Sequence, residues 1–140
     1  MTANPIQLSA EGVDLSPRVF RSATVVGSPA TSAEVVVAQI SIGPELAVGL
    51  GVLLFAYATL TVGTDGTSIV TRLRRDSLTG TVIKASGATN ATAAQLVDRA
   101  IQGFDATPTL PGEVYVLTLT VAAASAASTV TATELVGIVI

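Results

Sequence analysis

The residue types that carry out most enzymatic chemistry are missing from this chain. It contains no histidine and no cysteine, which excludes Ser-His-Asp and Cys-His arrangements, the commonest general base and most zinc sites. A pair of carboxylates can still work as general acid and base, as in glycosidases. The ten acidic residues are instead scattered singly, and those near predicted turns are interpreted as turn and solvent residues: Asp65, Asp76, Asp98, Asp105 and Glu113. The sequence therefore predicts no catalytic residue and no enzyme.

Glycine and metal-ligand patterns are equally weak. Gly49-Leu-Gly51 lacks the third glycine and the following helix of a dinucleotide-binding fingerprint. Calcium is the least excluded metal because it takes oxygen ligands from loops, but the turn at residues 63–66 contains a single aspartate. We therefore expect neither a cofactor nor a metal site.

One cluster of charge stands out, formed by Arg72, Arg74 and Arg75. Two interpretations stay open: an ionic contact to a neighbouring subunit or to a shell beneath, and a solvated strand edge whose charges deter aggregation. Seven basic residues and a net charge of −3 provide too little positive charge for a nucleic-acid footprint. Tyr57 and Tyr115 are interpreted as core or sheet-face residues, because two tyrosines and three phenylalanines offer little surface for stacking on sugars.

The elements that must position these residues have a strand-and-turn composition. Thr, Val, Ile and aromatic residues fill the apolar runs, and Gly, Pro, Asp and Ser separate them. About eight strands without regular helix alternation predict an all-β fold, an antiparallel β-sandwich or jelly roll. The predicted strands are Arg18–Val26, Ala33–Ile42, Leu50–Val62, Ser68–Arg75, Thr79–Lys84, Val114–Val121, Thr129–Thr133 and Glu134–Ile140.

The stretch from Ala91 to Asp105 fits two structures. Its apolar residues fall on one face of a helix, and Thr92 with Gln95 could form a capping box. As a strand, the same segment would place those apolar residues on both sides. Local periodicity favours a short helix near residues 92–103, whereas the all-β context favours an extended segment, and both remain open. The apolar residues concerned are Leu96, Val97, Ala100, Ile101 and Phe104.

Three other segments have specific predictions. Gly63-Thr-Asp-Gly66 is predicted to be a hairpin turn, with Asp-Gly as its main signal. Leu46–Val62 approaches the length of about 20 residues that a membrane helix needs, but its glycines and its strand-like second half predict a strand and no membrane. The apolar end Val136–Ile140 is expected to be a paired strand inside a sheet.

Composition and length predict one domain with an arm. The 140 residues suit a single β-sandwich domain over 16–140, and the mixed, Pro- and Gly-broken residues 1–15 are expected to form an extended N-terminal arm. The start lacks the basic patch and apolar run of a signal peptide, so we expect none. Only 12% of residues are charged, about half of the usual share of roughly 25%, which favours self-association over a lone monomer.

The C-terminal half has a characteristic order of turns and strands: Phe104-Asp105-Ala-Thr-Pro108, then Pro111-Gly112-Glu-Val-Tyr115 leading into a strand, and then the closing strand Glu134–Ile140. In this order it resembles the small jelly-roll virion proteins of tailed phages. The resemblance covers about residues 50–140 and is a pattern of turns and strands rather than a chemical motif. Within that group, it is similar to capsid decoration (cement) proteins and to fibre or spike head domains.

This resemblance implies a structural role in a virion. It implies a capsid decoration protein that binds and stabilises the capsid lattice, is made in the host cytoplasm, and partners with itself as a homotrimer and with the major capsid protein or another virion protein. The alternative is a tail fibre or spike head, or another receptor-binding module. More exposed aromatic residues in loops would have favoured that alternative.

Overall fold

The computed structural model describes residues 19–24, 33–42, 51–63, 67–108, 113–122 and 128–140. In these ranges the chain forms ten β-strands and no helix. The predicted arm at residues 1–15 and its boundary with the domain lie outside the described residues. The strands are β1 (Val19–Arg21), β2 (Ala23–Thr24), β3 (Glu34–Ser41), β4 (Val52–Thr61), β5 (Thr67–Arg75), β6 (Val82–Ala85), β7 (Thr89–Ala91), β8 (Leu96–Asp105), β9 (Val114–Ala122) and β10 (Thr129–Val139).

The strands form two antiparallel sheets that pack face to face. Sheet A has four strands in the order β1-β10-β4-β8. Sheet B has the order β2-β3-β9-β5-β6, and β7 also pairs with β5. The all-β sandwich prediction is therefore confirmed.

The core lies between the sheets and follows the period-2 pattern of the strands. On β4 the inward residues Leu54, Ala58 and Leu60 are completely buried. On β9, Tyr115 and Leu117 are both 0% exposed, so Tyr115 is a core residue, one of the two positions that the sequence allowed for it.

The segment at residues 92–105 is a turn and a strand, so the short helix is wrong. Gln95 Oε1 accepts a 3.0 Å hydrogen bond from the backbone N–H of Thr92, and Ala94 has a φ of +63°, which no helix contains. From Leu96 onward the chain pairs with ten successive residues of β4. That ladder satisfies the backbone groups that a helix would have satisfied internally, and it outweighs the local periodicity.

The Asp65-Gly66 hairpin prediction is also wrong, although the turn residues themselves lie outside the described part of the chain. β4 belongs to sheet A and β5 to sheet B, and the two do not pair. The chain therefore crosses between sheets here instead of folding back within one. A turn signal reports a change of direction but not which strand receives the next hydrogen bonds.

The structure divides the first predicted strand into two strands and joins the last two predicted strands into one. The region Arg18–Val26 contains β1 in sheet A and β2 in sheet B, with Ser22 between them. The two predicted C-terminal strands are one strand, β10, with an irregularity between Val130 and Ala132. β10 lies between β1 and β4, so the apolar C-terminal segment is paired on both sides, as predicted. The described residues include no helix long and apolar enough to cross a bilayer.

Candidate interaction surfaces

The arginine cluster lies on β5, which is an interior strand. It pairs with β9 on one side and with β6 and β7 on the other, so the strand-edge interpretation is wrong. Successive residues point to opposite faces of a strand. Arg72 and Arg74 therefore lie on the outer face of sheet B, and Arg75 points between the sheets.

On the outer face, Arg72 and Arg74 converge on Glu34 of β3. Arg74 Nε and Nη2 each donate a 2.9 Å hydrogen bond to the two oxygens of Glu34, and Arg72 Nη1 lies 3.6 Å from Glu34 Oε1. The hydroxyl of Thr118, on the intervening strand β9, also donates to Glu34. Burial alone would raise the pKa of Glu34, but these hydrogen bonds and the two positive charges outweigh it, so its pKa lies below the ordinary value.

Arg75 is part of a second cluster, which joins the two sheets at one end of the sandwich. Its Nη2 donates to Asp105 Oδ1 at 2.5 Å and its Nε lies 2.9 Å from Glu113 Oε1. The hydroxyl of Tyr115 donates to Asp105 Oδ2 at 2.7 Å. Asp105 ends β8 in sheet A, whereas Arg75 and Tyr115 belong to sheet B. The four side chains therefore tie the sheets together electrostatically.

Asp105 and Glu113 are each only 3% exposed, so their interpretation as solvent residues is wrong. The signal that finds Asp105 is its spacing: with Val97 and Ile101 it continues the inward face of β8. This spacing indicates an inward Asp105 only if residues 96–105 form a strand, because only then do the three residues share one face. Burial alone would raise the pKa of Asp105. The hydrogen bonds from Arg75, Tyr115 and the backbone of Thr107 have the larger, opposite effect, so the pKa of Asp105 lies below its ordinary value.

The same cluster stabilises the protonated forms of its other members. The hydrogen bond to Asp105 raises the pKa of Arg75, against the opposing effect of burial. Burial and the hydrogen bond to Asp105 together raise the pKa of Tyr115. Asp105 is thus held ionised and Tyr115 protonated at neutral pH, beside the permanently charged guanidinium of Arg75, so these three groups suit a structural contact between the sheets.

A third polar cluster, which the sequence analysis missed, fastens the edge strand β8 to the β6–β7 connection. Arg99 Nη2 donates to the hydroxyl of Ser86 at 2.9 Å and to the carbonyl of Gly87 at 2.8 Å. The Ser86 hydroxyl also accepts a 3.0 Å hydrogen bond from the backbone N–H of Thr71. These partners lie in different strands and loops, and no local spacing in the sequence points to them. Within the described residues no group of three or more acidic side chains is placed to hold a metal ion.

The outer face of sheet A is different in kind, because it is apolar. Its side chains form rows across the sheet, and the register aligns Val19, Ile138, Leu53 and Phe104 in one of them. The next row contains Arg21, Val136, Phe55 and Gln102, with the two apolar residues at its centre. The outer patch of sheet A is defined here as Val19, Leu53, Phe55, Tyr57, Phe104, Val136 and Ile138.

The aromatic members of this patch are among its most exposed side chains. Phe55, Tyr57 and Phe104 are 39%, 40% and 45% exposed, and Val19 at the edge is 45% exposed. Tyr57 is thus a sheet-face residue, as interpreted from the sequence. The patch as a whole was missed, although β4 carries a signal for it: apolar residues occupy both of its faces, which is typical of a strand covered on both sides.

The two outer faces of the sandwich therefore have opposite character. Sheet B presents arginines already paired with Glu34, whereas sheet A presents aromatic and aliphatic surface. An ionic contact of Arg72, Arg74 and Arg75 with a partner stays a prediction, and in this structure each of the three has an acidic partner within the chain. The apolar face is the stronger candidate for contact with another molecule, because its exposure to water is unfavourable.

Comparison with known proteins gives likeness in fold but not in sequence. No protein-family model matches the chain, and no curated protein matches it significantly. Solved structures from infectious bursal disease virus match it over 89% of its length: the Gx strain with a TM-score of 0.57 and 11% identity, and the VP2 subviral particle with 0.53 and 11%. The chain spans about a third of those proteins, 32% and 33% respectively.

A structure of pilus-forming Bacillus endospore appendages also matches, at 9% identity over 89% of this chain and 91% of its own, but its TM-score of 0.45 supports no argument. At 11% identity the matches to the viral structures establish the fold alone. This chain has the same kind of antiparallel sandwich as part of a protein that forms virus particles.

Proposed function

We propose that this chain is a non-enzymatic structural protein of a virion, a capsid decoration protein that binds and stabilises the capsid lattice. The observation that carries the proposal is the outer patch of sheet A. A small domain that leaves three aromatic side chains on one largely apolar face is stabilised when another protein covers that face. The fold likeness to proteins of infectious bursal disease virus particles supports the same assignment.

The position of the aromatic residues favours assembly over receptor binding. Receptor-binding modules use loops for recognition, because loops vary without disturbing the scaffold. Here Phe55, Tyr57 and Phe104 lie within β4 and β8, in the regular part of the sheet. A flat, rigid surface of this kind suits a repeated protein–protein contact, whereas the described loops present no comparable aromatic cluster.

Two finer parts of the proposal concern partners. We propose that copies of the chain associate with one another, with a trimer as the expected unit, and attach to the major capsid protein. We further propose that residues 1–15 act as an arm that reaches a neighbouring subunit and orders on contact, as coupled folding and binding allows.

The test is to locate the chain on the native particle by cryo-electron microscopy. The proposal expects density for the sandwich at regular positions on the capsid surface. A purified sample added to particles that lack the protein should bind them at saturable stoichiometry and raise their resistance to heat or chelation. Density confined to the tail or its fibres would overturn the decoration role in favour of a fibre head, and absence from the particle would overturn both.

A further inference from the structure

The outer patch of sheet A has an aliphatic half and an aromatic half. The strand order places β1 and β10 on one side of the sheet and β4 and β8 on the other. The aliphatic members lie mainly on the first pair of strands and the aromatic members on the second. The first group is Val19, Val136 and Ile138, and the second is Phe55, Tyr57 and Phe104.

A two-fold axis running along the midline between β10 and β4 would bring these halves together. It would place β1 of one copy over β8 of the other, and β10 over β4. Because the register aligns the rows, Val19 of one copy would meet Phe104 of the other, and Val136 would meet Phe55. Two-fold contacts use the same patch on both copies, and sheets that pack face to face keep their strands within about 30° of each other.

Charge does not oppose this contact. The charged residues on the described outer face of sheet A are Arg21, Glu134 and Asp98. Arg21 and Glu134 form an ion pair at 2.8 Å, with side chains 65% and 41% exposed, and Asp98 accepts a 2.6 Å hydrogen bond from the hydroxyl of Thr59. Arg21 ends the row of Val136 and Phe55 on the edge strand β1, whereas Glu134 lies opposite Tyr57. Around the proposed axis Glu134 would meet Tyr57 of the second copy, and its ion pair with Arg21 balances its charge within the chain. Asp98 lies opposite Thr59, beyond the apolar rows.

The size of the patch predicts a contact of modest strength. Four strands about 4.8 Å apart and three rows along them cover roughly 20 Å by 20 Å. That is on the order of 400 Å² per copy, against about 800 Å² per partner in a standard interface. Such a contact associates at high micromolar concentration in solution and becomes effective when copies are concentrated, as on a lattice.

We infer that the outer patch of sheet A is a self-association surface, occupied by the same patch of a second copy around a two-fold axis parallel to the strands. The inference rests on one part of the proposed function, the association of copies with one another, and does not depend on attachment to a virion. It is compatible with a trimer formed through another surface, in which case the contact joins two trimers.

The first test measures mass by light scattering at high micromolar concentration. Phe55→Glu places a charge at the centre of the patch and should halve the mass of the wild-type oligomer. Gln39→Glu, exposed on the outer face of sheet B, is the matched control and should leave the mass unchanged. Circular dichroism and thermal melting establish that both variants are folded. An unchanged mass for folded Phe55→Glu, or a wild-type protein that is already monomeric, would overturn the inference.

The second test uses cross-linking to determine which strands of the two copies lie close together. The chain has no cysteine, so Val19→Cys and Phe104→Cys each carry a single thiol. With a short bis-maleimide, a mixture of the two variants should cross-link, whereas each variant alone should not, because β1 of one copy lies about three strand spacings, roughly 14 Å, from β1 of the other. Efficient cross-linking of Val19→Cys with itself, or none in the mixture, would contradict the axis. Cross-linking without particle binding would leave this inference intact and refute the virion role.

Discussion

The Tyr115 hydroxyl donates a 2.7 Å hydrogen bond to the carboxylate of Asp105, although the two residues belong to different sheets. Tyr115 lies on β9 in the middle of sheet B, and Asp105 ends the edge strand β8 of sheet A. Arg75 completes the bridge from β5. An ionic and hydrogen-bonded contact therefore holds together one end of a sandwich whose remaining contacts are mostly apolar.

Removing the carboxylate from this cluster is expected to destabilise the fold. Asp105→Asn leaves Arg75 without its bidentate acceptor and should lower the free energy of unfolding by about 1.5–3 kcal/mol, the usual range for hydrogen bonds to charged groups. Asp98→Asn, on the exposed face of the same strand, should cost less than about 0.5 kcal/mol. Urea denaturation of both variants checks this, and equal losses would show that the cluster contributes nothing specific.

Acid should weaken the protein through the same carboxylates. The pKa values of Asp105 and Glu34 lie below their ordinary values, so the unfolded chain binds protons at higher pH than the folded one. Their stabilising contribution is thus complete above about pH 5 and is lost as pH falls through the folded-state pKa values. The free energy of unfolding, measured between pH 7 and 3, should fall, and the fall should be smaller in Asp105→Asn. A flat profile in the wild type would contradict the prediction.

The centre of sheet B should tolerate truncation poorly. Leu117 is 0% exposed on β9, and Leu117→Ala should cost about 2–5 kcal/mol, as cavity-forming leucine substitutions do. Leu96→Ala provides the control, because Leu96 is 63% exposed and its loss should cost about 0.5 kcal/mol or less. Chemical denaturation distinguishes the two, and a loss below half a kcal/mol at Leu117 would mean that β9 is not central to the core.

Deleting residues 2–15 should leave the sandwich folded but weaken its attachment to particles. The described sandwich begins at Val19, so we expect the truncated chain to keep its melting temperature within a few degrees. Its binding to particles should weaken, because the arm no longer reaches a neighbouring subunit. Co-sedimentation with particles measures this, with the full chain as reference. Unchanged binding by the truncated form would remove the proposed role of the arm.

The fold class and the main strands could be predicted from residue types and their spacing alone. The strand predicted at Val114–Val121 corresponds to β9, and the absence of histidine and cysteine excluded most catalytic arrangements. These properties are local: residue type and period-2 spacing are written in consecutive residues, and they decide which face of a strand avoids water.

Strand pairing and the contacts between side chains could not be predicted in the same way, because they depend on residues far apart in the chain. Residues 92–105 carried a helical periodicity, yet ten hydrogen-bonded pairs with β4 made Leu96–Asp105 a strand. Arg74 and Glu34 lie 40 residues apart, and only the order of β3, β9 and β5 brings them together. The same order turned Asp105 inward and left the outer patch of sheet A uncovered. Long-range pairing sets these contacts, and its free energy comes from backbone hydrogen bonds and burial that no short window of sequence contains.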